Sequence, residues 1–183
     1  MTSIKKINNR TIQGYRKSTG WAKEHNVYFF MEFSQDVEVW AGNDTLKPLK
    51  NGQKLVSNQG YAFIDFGTTT NKVLVKVSLS SANCEGAAAN LDKELSHWSF
   101  DKVKREAKQQ WKRILSRIKA EGASKEEMRV FYTALYHAYL APYIFSDVHG
   151  NYKGPDGEIH TVGKAKQYTC LLYTSPSPRD YAA

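Results

Sequence analysis

At 183 residues, with 41% apolar and 24% charged side chains, the chain has the composition of a globular protein holding one domain or parts of two, which excludes wholesale disorder. The net charge of +8 is spread evenly: residues 1–85 carry 11 basic and 7 acidic groups and residues 86–183 carry 15 and 11, so no basic arm or stripe argues for nucleic acid. No apolar run is long enough to cross a bilayer, and Cys84 and Cys170 stand far apart with no CxxC neighbour, which suggests neither a disulfide framework nor a zinc site.

The first residues, Met1 to Gln13, mix Lys5, Lys6 and Arg10 with asparagine and lack the apolar stretch of a signal peptide; either the protein stays where it is made or this Met is not the native start. Strands follow. Val27 to Phe33 is a dense apolar and aromatic run, Val37 to Trp40 and Tyr61 to Phe66 alternate, and Lys72 to Leu79 places Val73, Val75, Val77 and Leu79 on one face with Lys72, Lys76 and Ser78 on the other. Turn-forming clusters divide them at Gly42-Asn43-Asp44, Asn51-Gly52, Asn58-Gln59-Gly60 and Gly67 to Asn71. Short strands so punctuated, with no helices between them, predict an antiparallel sandwich or barrel.

At Ser80 the period changes. Ser81-Ala82-Asn83 and Gly86 to Ala89 read as a small-residue connector. Phe100, Val103, Ala107, Trp111, Ile114, Leu115 and Ile118 then recur at helical spacing, with Ser99 as N-cap, Asp101 favouring the dipole and Gly122 near the end. The basic cluster Lys102 to Lys119 falls on the wet face of this helix, which is expected to bury its other stripe. Asp101 and Glu106 project from the same wet side and do not form a catalytic pair. A capping box, Ser124 with Glu127, opens a second helix that is apolar on nearly every side through Leu140 and is stopped by Pro142. Such a helix must be enclosed, yet only about forty residues follow and they read as loop. Burial alone therefore predicts an internal fragment whose enclosing walls are encoded elsewhere.

Three residues in this second half are candidates for sugar contact. His137 closes the apolar helix, where it either hydrogen-bonds a hydroxyl or packs as a structural histidine. Asp147 lies in the following loop, where it either contacts a ligand or shapes the Gly150 bend as an Asx-turn. Tyr152 either stacks on a sugar ring or packs within the loop. Asp147, Asn151, Asp156 and Glu158 superficially suggest calcium but lack the spacing and terminal Glu of an EF-hand, so a turn-rich loop is the better reading. Trp21, Trp40, Trp98 and Trp111 read as core or domain-interface residues.

Taken in order, these segments resemble glycoside hydrolase family 92, the calcium-dependent exo-acting α-mannosidases. Gly20-Trp21 and Val27 to Ser34 resemble the late N-terminal domain. Val75 to Ser80 with Ala87, Ala89, Asn90, Leu91 and Glu94 resembles the domain junction, and Trp98 to Asp101 with Ala107 and Trp111 the linker helix. Phe131 to His137, Pro142, Ser146 to Gly154, Asp156-Gly157 and Ile159-His160 resemble the opening of the catalytic domain. The resemblance implies a multi-domain β plus α fold: the end of an antiparallel β-sandwich over 1–85, a connector and linker helix over 86–122, and the first helix of an (α/α)6 barrel within 123–168. Beyond Tyr168 the family continues with a Trp-Asp-Thr-x-Arg motif that helps hold the terminal mannose. Here Thr169 to Asp180 departs from it, and 169–183 reads as a non-family tail of artefactual origin.

The implied chemistry is removal of terminal α-linked mannose, from substrates such as N-glycans or yeast mannan, by inverting displacement. Ca2+ is the implied cofactor. Neither its ligands nor the catalytic carboxylates map onto this chain, so the fragment itself is expected to be inactive. The implied partner is an α-mannoside glycan, with no nucleic acid and no membrane span, and with oligomeric state left open. The family suggests a secreted or periplasmic protein. The alternative is a non-catalytic carbohydrate-binding or interaction module built on the β-half.

Overall fold

The computed structural model describes residues 1–20, 24–68, 72–163 and 165–168. Trp21, Cys170 and the 169–183 tail lie outside the described residues, as does part of the turn read at Gly67 to Asn71. The chain forms two compact units: one of residues 1–98 with 145–167, the other of residues 99–144 with, among the described residues, Tyr168. No described helix is long and apolar enough to cross a membrane.

The first unit is an antiparallel β-structure. Its strands are β1 (Thr2–Asn8), β2 (Thr11–Ser18), β3 (His25–Phe33), β4 (Glu38–Gly42), β5 (Leu46–Pro48), β6 (Lys54–Ser57), β7 (Tyr61–Asp65) and β8 (Val75–Ser80). They make a five-stranded sheet in the order β6-β1-β2-β3-β8 and a three-stranded sheet in the order β5-β4-β7. Ile12 and Phe33 of the larger sheet pack with Val39 of the smaller and with Val37 just before it, joined by Phe29, Met31, Ile64 and Phe66, and this shared core makes the pair a sandwich. Full burial of a side chain such as Phe33 contributes about 1.5–3 kcal/mol, and its ring meets Phe66 edge-on at 5.9 Å.

Four of these strands coincide with the apolar runs of the sequence; β1, β2, β5 and β6 do not. The reason is visible in β1, whose buried positions are Ser3 and Lys6. The Lys6 ammonium is satisfied by the carbonyl of Val37 at 3.2 Å, so a polar residue occupies an interior position and hides the alternation. In β8 the faces are reversed from what hydrophobicity suggests. Val75, Val77 and Leu79 are exposed, Leu79 at 56%, whereas Lys76 is 7% exposed. Lys76 pairs with Glu32 at 3.2 Å and lies over the Trp98 ring at 4.2 Å. The strand pairs with β3 along its edge, and its Lys76 face is the covered one.

The segment read as a small-residue connector is a helix, α1 (Cys84–Glu94). Asn83 caps it by accepting the amide of Gly86 at 2.6 Å, and Ala87 and Leu91 are fully buried. Its alanines let the helix approach β8 and β3 closely, and it packs in one unit with the strands. Cys84 sits half-buried in its first turn, where burial raises the thiol above its ordinary value. Residues 145–167 complete this unit with a small hairpin, β9 (Asn151–Lys153) and β10 (Ile159–Thr161).

The second unit is a helix pair. Ser99 caps α2 (Phe100–Leu115) through the amide of Lys102, and the helix ends before the Ile118 limit of the periodic pattern. Gly122, at φ +81°, takes a left-handed turn position that favours glycine before the next helix. The capping box of α3 (Lys125–Ala138) is formed in both directions, the Glu127 amide donating to Ser124 Oγ at 3.3 Å and the Ser124 amide to Glu127 Oε2 at 2.8 Å. Trp111 and Tyr136 meet edge-to-face at 4.5 Å, and Tyr132 donates to the carbonyl of Ile118 at 3.1 Å. The expected burial of an α2 stripe is not found, and α3, whose enclosing walls are expected outside this chain, is uncovered: neither helix has a buried residue, and Val130 is 66% exposed. Two helices cover only the stripe each turns to the other, and α3 has apolar residues on its remaining faces.

Candidate functional site

The candidate residues Asp147 and Tyr152 belong to one loop of the β-unit, and its shape begins with Asp147. This side chain is 6% exposed. Its Oδ1 accepts the amides of His149 and Asn151, both at 2.9 Å, while Oδ2 accepts the Asn151 side chain at 3.4 Å. The Asp147 carbonyl takes the Gly150 amide at 2.9 Å, and Gly150 supplies the φ of +85° that the bend requires. Asp147 is thus the carboxylate of an Asx-turn, with its acceptor capacity directed to backbone N–H groups. It also faces the first turn of α1: a Cβ on Gly86 would collide with Asp147 Oδ2, so glycine there admits a negative charge to a helix N-terminus.

Asn90 fastens the same loop to the sheet, accepting the Val148 amide and donating to the Leu79 carbonyl, both at 2.8 Å. Ser81 adds a second link, accepting the Lys153 amide at 3.3 Å. Lys153, whose side chain is largely buried, pairs with Glu24 at 2.7 Å; that hydrogen bond holds the Glu24 carboxyl below its ordinary value, assisted by Asn26.

Tyr152 lies on β9, half-buried, with its ring 5.7 Å from that of His160. Asp156, in the hairpin turn, accepts the Glu158 amide at 3.1 Å and meets His160 Nε2 at 2.7 Å. These two contacts, the backbone one first, hold its carboxyl below the usual aspartate value. Sequence reasoning passed over His160 as a site residue; the Gly154-Pro155-Asp156-Gly157 turn between two short strands was the available signal. His137 lies at the end of α3 in the helical unit, exposed beside Tyr136 at 5.7 Å between ring centroids.

Among the described residues no three His, Cys, Asp or Glu side chains converge on a point that could hold a metal ion. The carboxylates superficially suggestive of calcium are engaged otherwise, Asp147 by amides and Asp156 by an amide and an imidazole. The described residues therefore do not fit a resident calcium ion, and no chemical step here runs through one.

Two protein-family models match the chain in succession. The glycosyl hydrolase family 92 N-terminal domain covers residues 1–80, and the glycosyl hydrolase family 92 catalytic domain covers residues 86–173. Mostly antiparallel sheets with a few helices are the architecture of the first of these domains, and both matches fall in one class of protein, the glycoside hydrolases.

A curated relative from Arthroderma benhamiae, described as an uncharacterized secreted glycosidase, is 33% identical over 87 residues, or 44% of this chain and 11% of the relative. A solved family 92 α-mannosidase from Bacteroides thetaiotaomicron superposes with a TM-score of 0.82 at 29% identity, over 92% of this chain and 24% of that one. A second from the same bacterium, described as an inverting mannosidase, gives 0.76 at 28% identity over 92% and 24%. This chain belongs to glycosyl hydrolase family 92. It spans about a quarter of the length of these solved relatives.

Proposed function

We propose that the chain is the sandwich-to-barrel part of an α-mannosidase that removes terminal α-linked mannose from glycans with inversion of configuration. The observation that carries this reading is the order of the two family matches along one chain, together with a TM-score of 0.82 over 92% of its residues to an α-mannosidase. In this reading residues 1–85 are the late part of the N-terminal β-domain, 86–122 the connection, and 123–168 the start of the catalytic domain, with α3 as the first helix of an (α/α)6 barrel. The exposed apolar surface of α3 supports that role, since a barrel supplies neighbouring helices on each side.

Inversion needs one carboxylic acid to protonate the leaving oxygen and one carboxylate to activate water on the opposite face, the two about 6.5–9.5 Å apart. No residue of this chain is assigned to either task; Asp147 and Asp156 act on the loop's own backbone and imidazole. Calcium, in this reading, belongs to the whole enzyme with ligands outside this chain. Asp147 orders the loop, while Tyr152 and His137 are proposed as sugar contacts. A second reading, carbohydrate binding without hydrolysis by the β-unit, is favoured by the fastening of the Tyr152 loop to the sheet through Asn90, Ser81 and Glu24.

The test is hydrolysis of an aryl α-mannoside and of α-mannobiose by the enzyme translated from the complete gene, followed by NMR of the first-formed anomer. Release of β-mannose is expected. Release of α-mannose, or of no mannose from either substrate, refutes the reading. The 183-residue chain alone should release none.

A further inference from the structure

Pairing of β9 with β10 sets His160 directly across from Tyr152, so the two rings stand together on one face of the hairpin, tilted by 35°. Asp156 fixes the imidazole. A carboxylate 2.7 Å from Nε2 makes that nitrogen the protonated one, which leaves Nδ1 of the neutral ring an acceptor. Among the described residues Nδ1 has no hydrogen-bond partner. Gly154 permits the arrangement, because a Cβ there would stand 2.6 Å from the His160 ring carbon Cδ2.

The hairpin is also held still. Lys153 ties it to Glu24 and Ser81, and Thr161 donates to Asn151 Oδ1 across the strands at 2.7 Å. A ring face and an acceptor already fixed in place lose little freedom when a ligand arrives. The flanking charges select what that ligand is. Asp156 at the imidazole repels anions, and the lysine of the hairpin is committed to Glu24. Among the described residues no third metal-ligating group joins His160 and Asp156. A neutral molecule with an apolar face and hydroxyl donors fits both rings.

We propose that the β9–β10 hairpin is a carbohydrate subsite, in which Tyr152 packs on the face of a sugar ring and His160 Nδ1 accepts a hydrogen bond from a sugar hydroxyl. The identity of the sugar as an α-mannoside rests on the function proposed above; the subsite itself does not.

The test is an NMR titration of the 183-residue chain with methyl α-mannoside and with α-mannobiose, following the imidazole of His160 and the ring of Tyr152. Saturable shifts at both are expected at millimolar sugar. His160→Ala and Tyr152→Ala should each weaken binding about ten-fold, the scale of one lost hydrogen bond or stacking contact. His160→Asn, which keeps an acceptor near the Nδ1 position, and Tyr152→Phe, which keeps the ring, should retain most of it. Should an alanine variant fail to fold, the wild-type titration and these two conservative variants decide.

Absence of saturable shifts at both residues overturns the proposal, as do shifts that persist undiminished in Tyr152→Ala. Sugar bound elsewhere on the chain with an unperturbed hairpin sinks the subsite and leaves the mannosidase reading intact. Sugar bound at the hairpin, with no mannose released by the complete enzyme, keeps the subsite and removes that reading.

Discussion

Gly86→Ala tests the packing on which the Asp147 loop depends. An added Cβ would collide with Asp147 Oδ2, and would stand 2.9 Å from Ser80 Oγ and 3.2 Å from Asn83 Oδ1. All three belong to groups already committed: Asp147 to two amides, Ser80 to the Ala82 amide, and Asn83 to the helix cap. Overpacking a tight site costs about 1–3 kcal/mol, and displacing the carboxylate weakens its charge-assisted hydrogen bonds, each contributing about 1.5–3 kcal/mol. Alanine recovers about 0.5–1 kcal/mol of helix propensity. The variant should therefore be less stable by about 1–3 kcal/mol, a fall in Tm of about 2–4 °C for each kcal/mol in a domain of this size. Urea denaturation of the wild type, Gly86→Ala, Asp147→Ala and the double variant measures this. Because the clash is with Asp147, the double variant should recover part of the loss, with a coupling above about 0.5 kcal/mol. A Gly86→Ala protein as stable as the wild type, or strictly additive losses, would refute the argument.

Four other outcomes follow from the same geometry. Ser124→Ala, which removes one arm of the α3 capping box, should cost about 1 kcal/mol and lower helicity by circular dichroism, with Ser124→Asp largely restoring both. Glu32→Ala leaves the largely buried Lys76 ammonium unpaired and should destabilise the β-unit by about 1–3 kcal/mol, more than Lys76→Met, which keeps an unbranched apolar stem under Trp98. Asp156 and Glu24 both have carboxyls depressed in the folded chain, so their stabilisation is present above the unfolded value and is lost as pH falls through the folded one. Asp156→Asn should accordingly flatten the acid limb of a stability–pH profile below about pH 4, and an unchanged limb would count against the Glu158 amide and His160 contacts of Asp156 as its cause. Trp111→Ala should cost about 3 kcal/mol at most in the helical unit, below the usual range for a buried tryptophan because its ring is partly exposed, and should shift the near-ultraviolet signal of the Trp111–Tyr136 pair.

Local rules accounted for what was legible in the residues alone. The runs that became β3, β4, β7 and β8 alternate or cluster by hydrophobicity, and the caps at Ser99 and Ser124 work within a single turn, so each could be read without knowing its neighbours. The change from strand to helical period after Ser80 was equally plain. The misses have one physical cause: partners distant in sequence. Lys6 is interior because the Val37 carbonyl is there to receive it, and Lys76 because Glu32 and Trp98 enclose it, so β1 and β8 do not show their inward faces as apolar ones. Asp147 could be placed in a turn from its neighbours, whereas its contact with Gly86 required residues distant in sequence to meet. His160 entered the sequence reading only within the Ile159-His160 pair of the family resemblance; Asp156 and Tyr152 became its neighbours when the hairpin paired. Sequence by itself determined β3, β4, β7, β8, α2 and α3, and the family to which their order belongs. Tertiary structure decided which faces are covered and which polar groups meet, because burial and hydrogen-bond satisfaction depend on atoms that the local sequence does not contain.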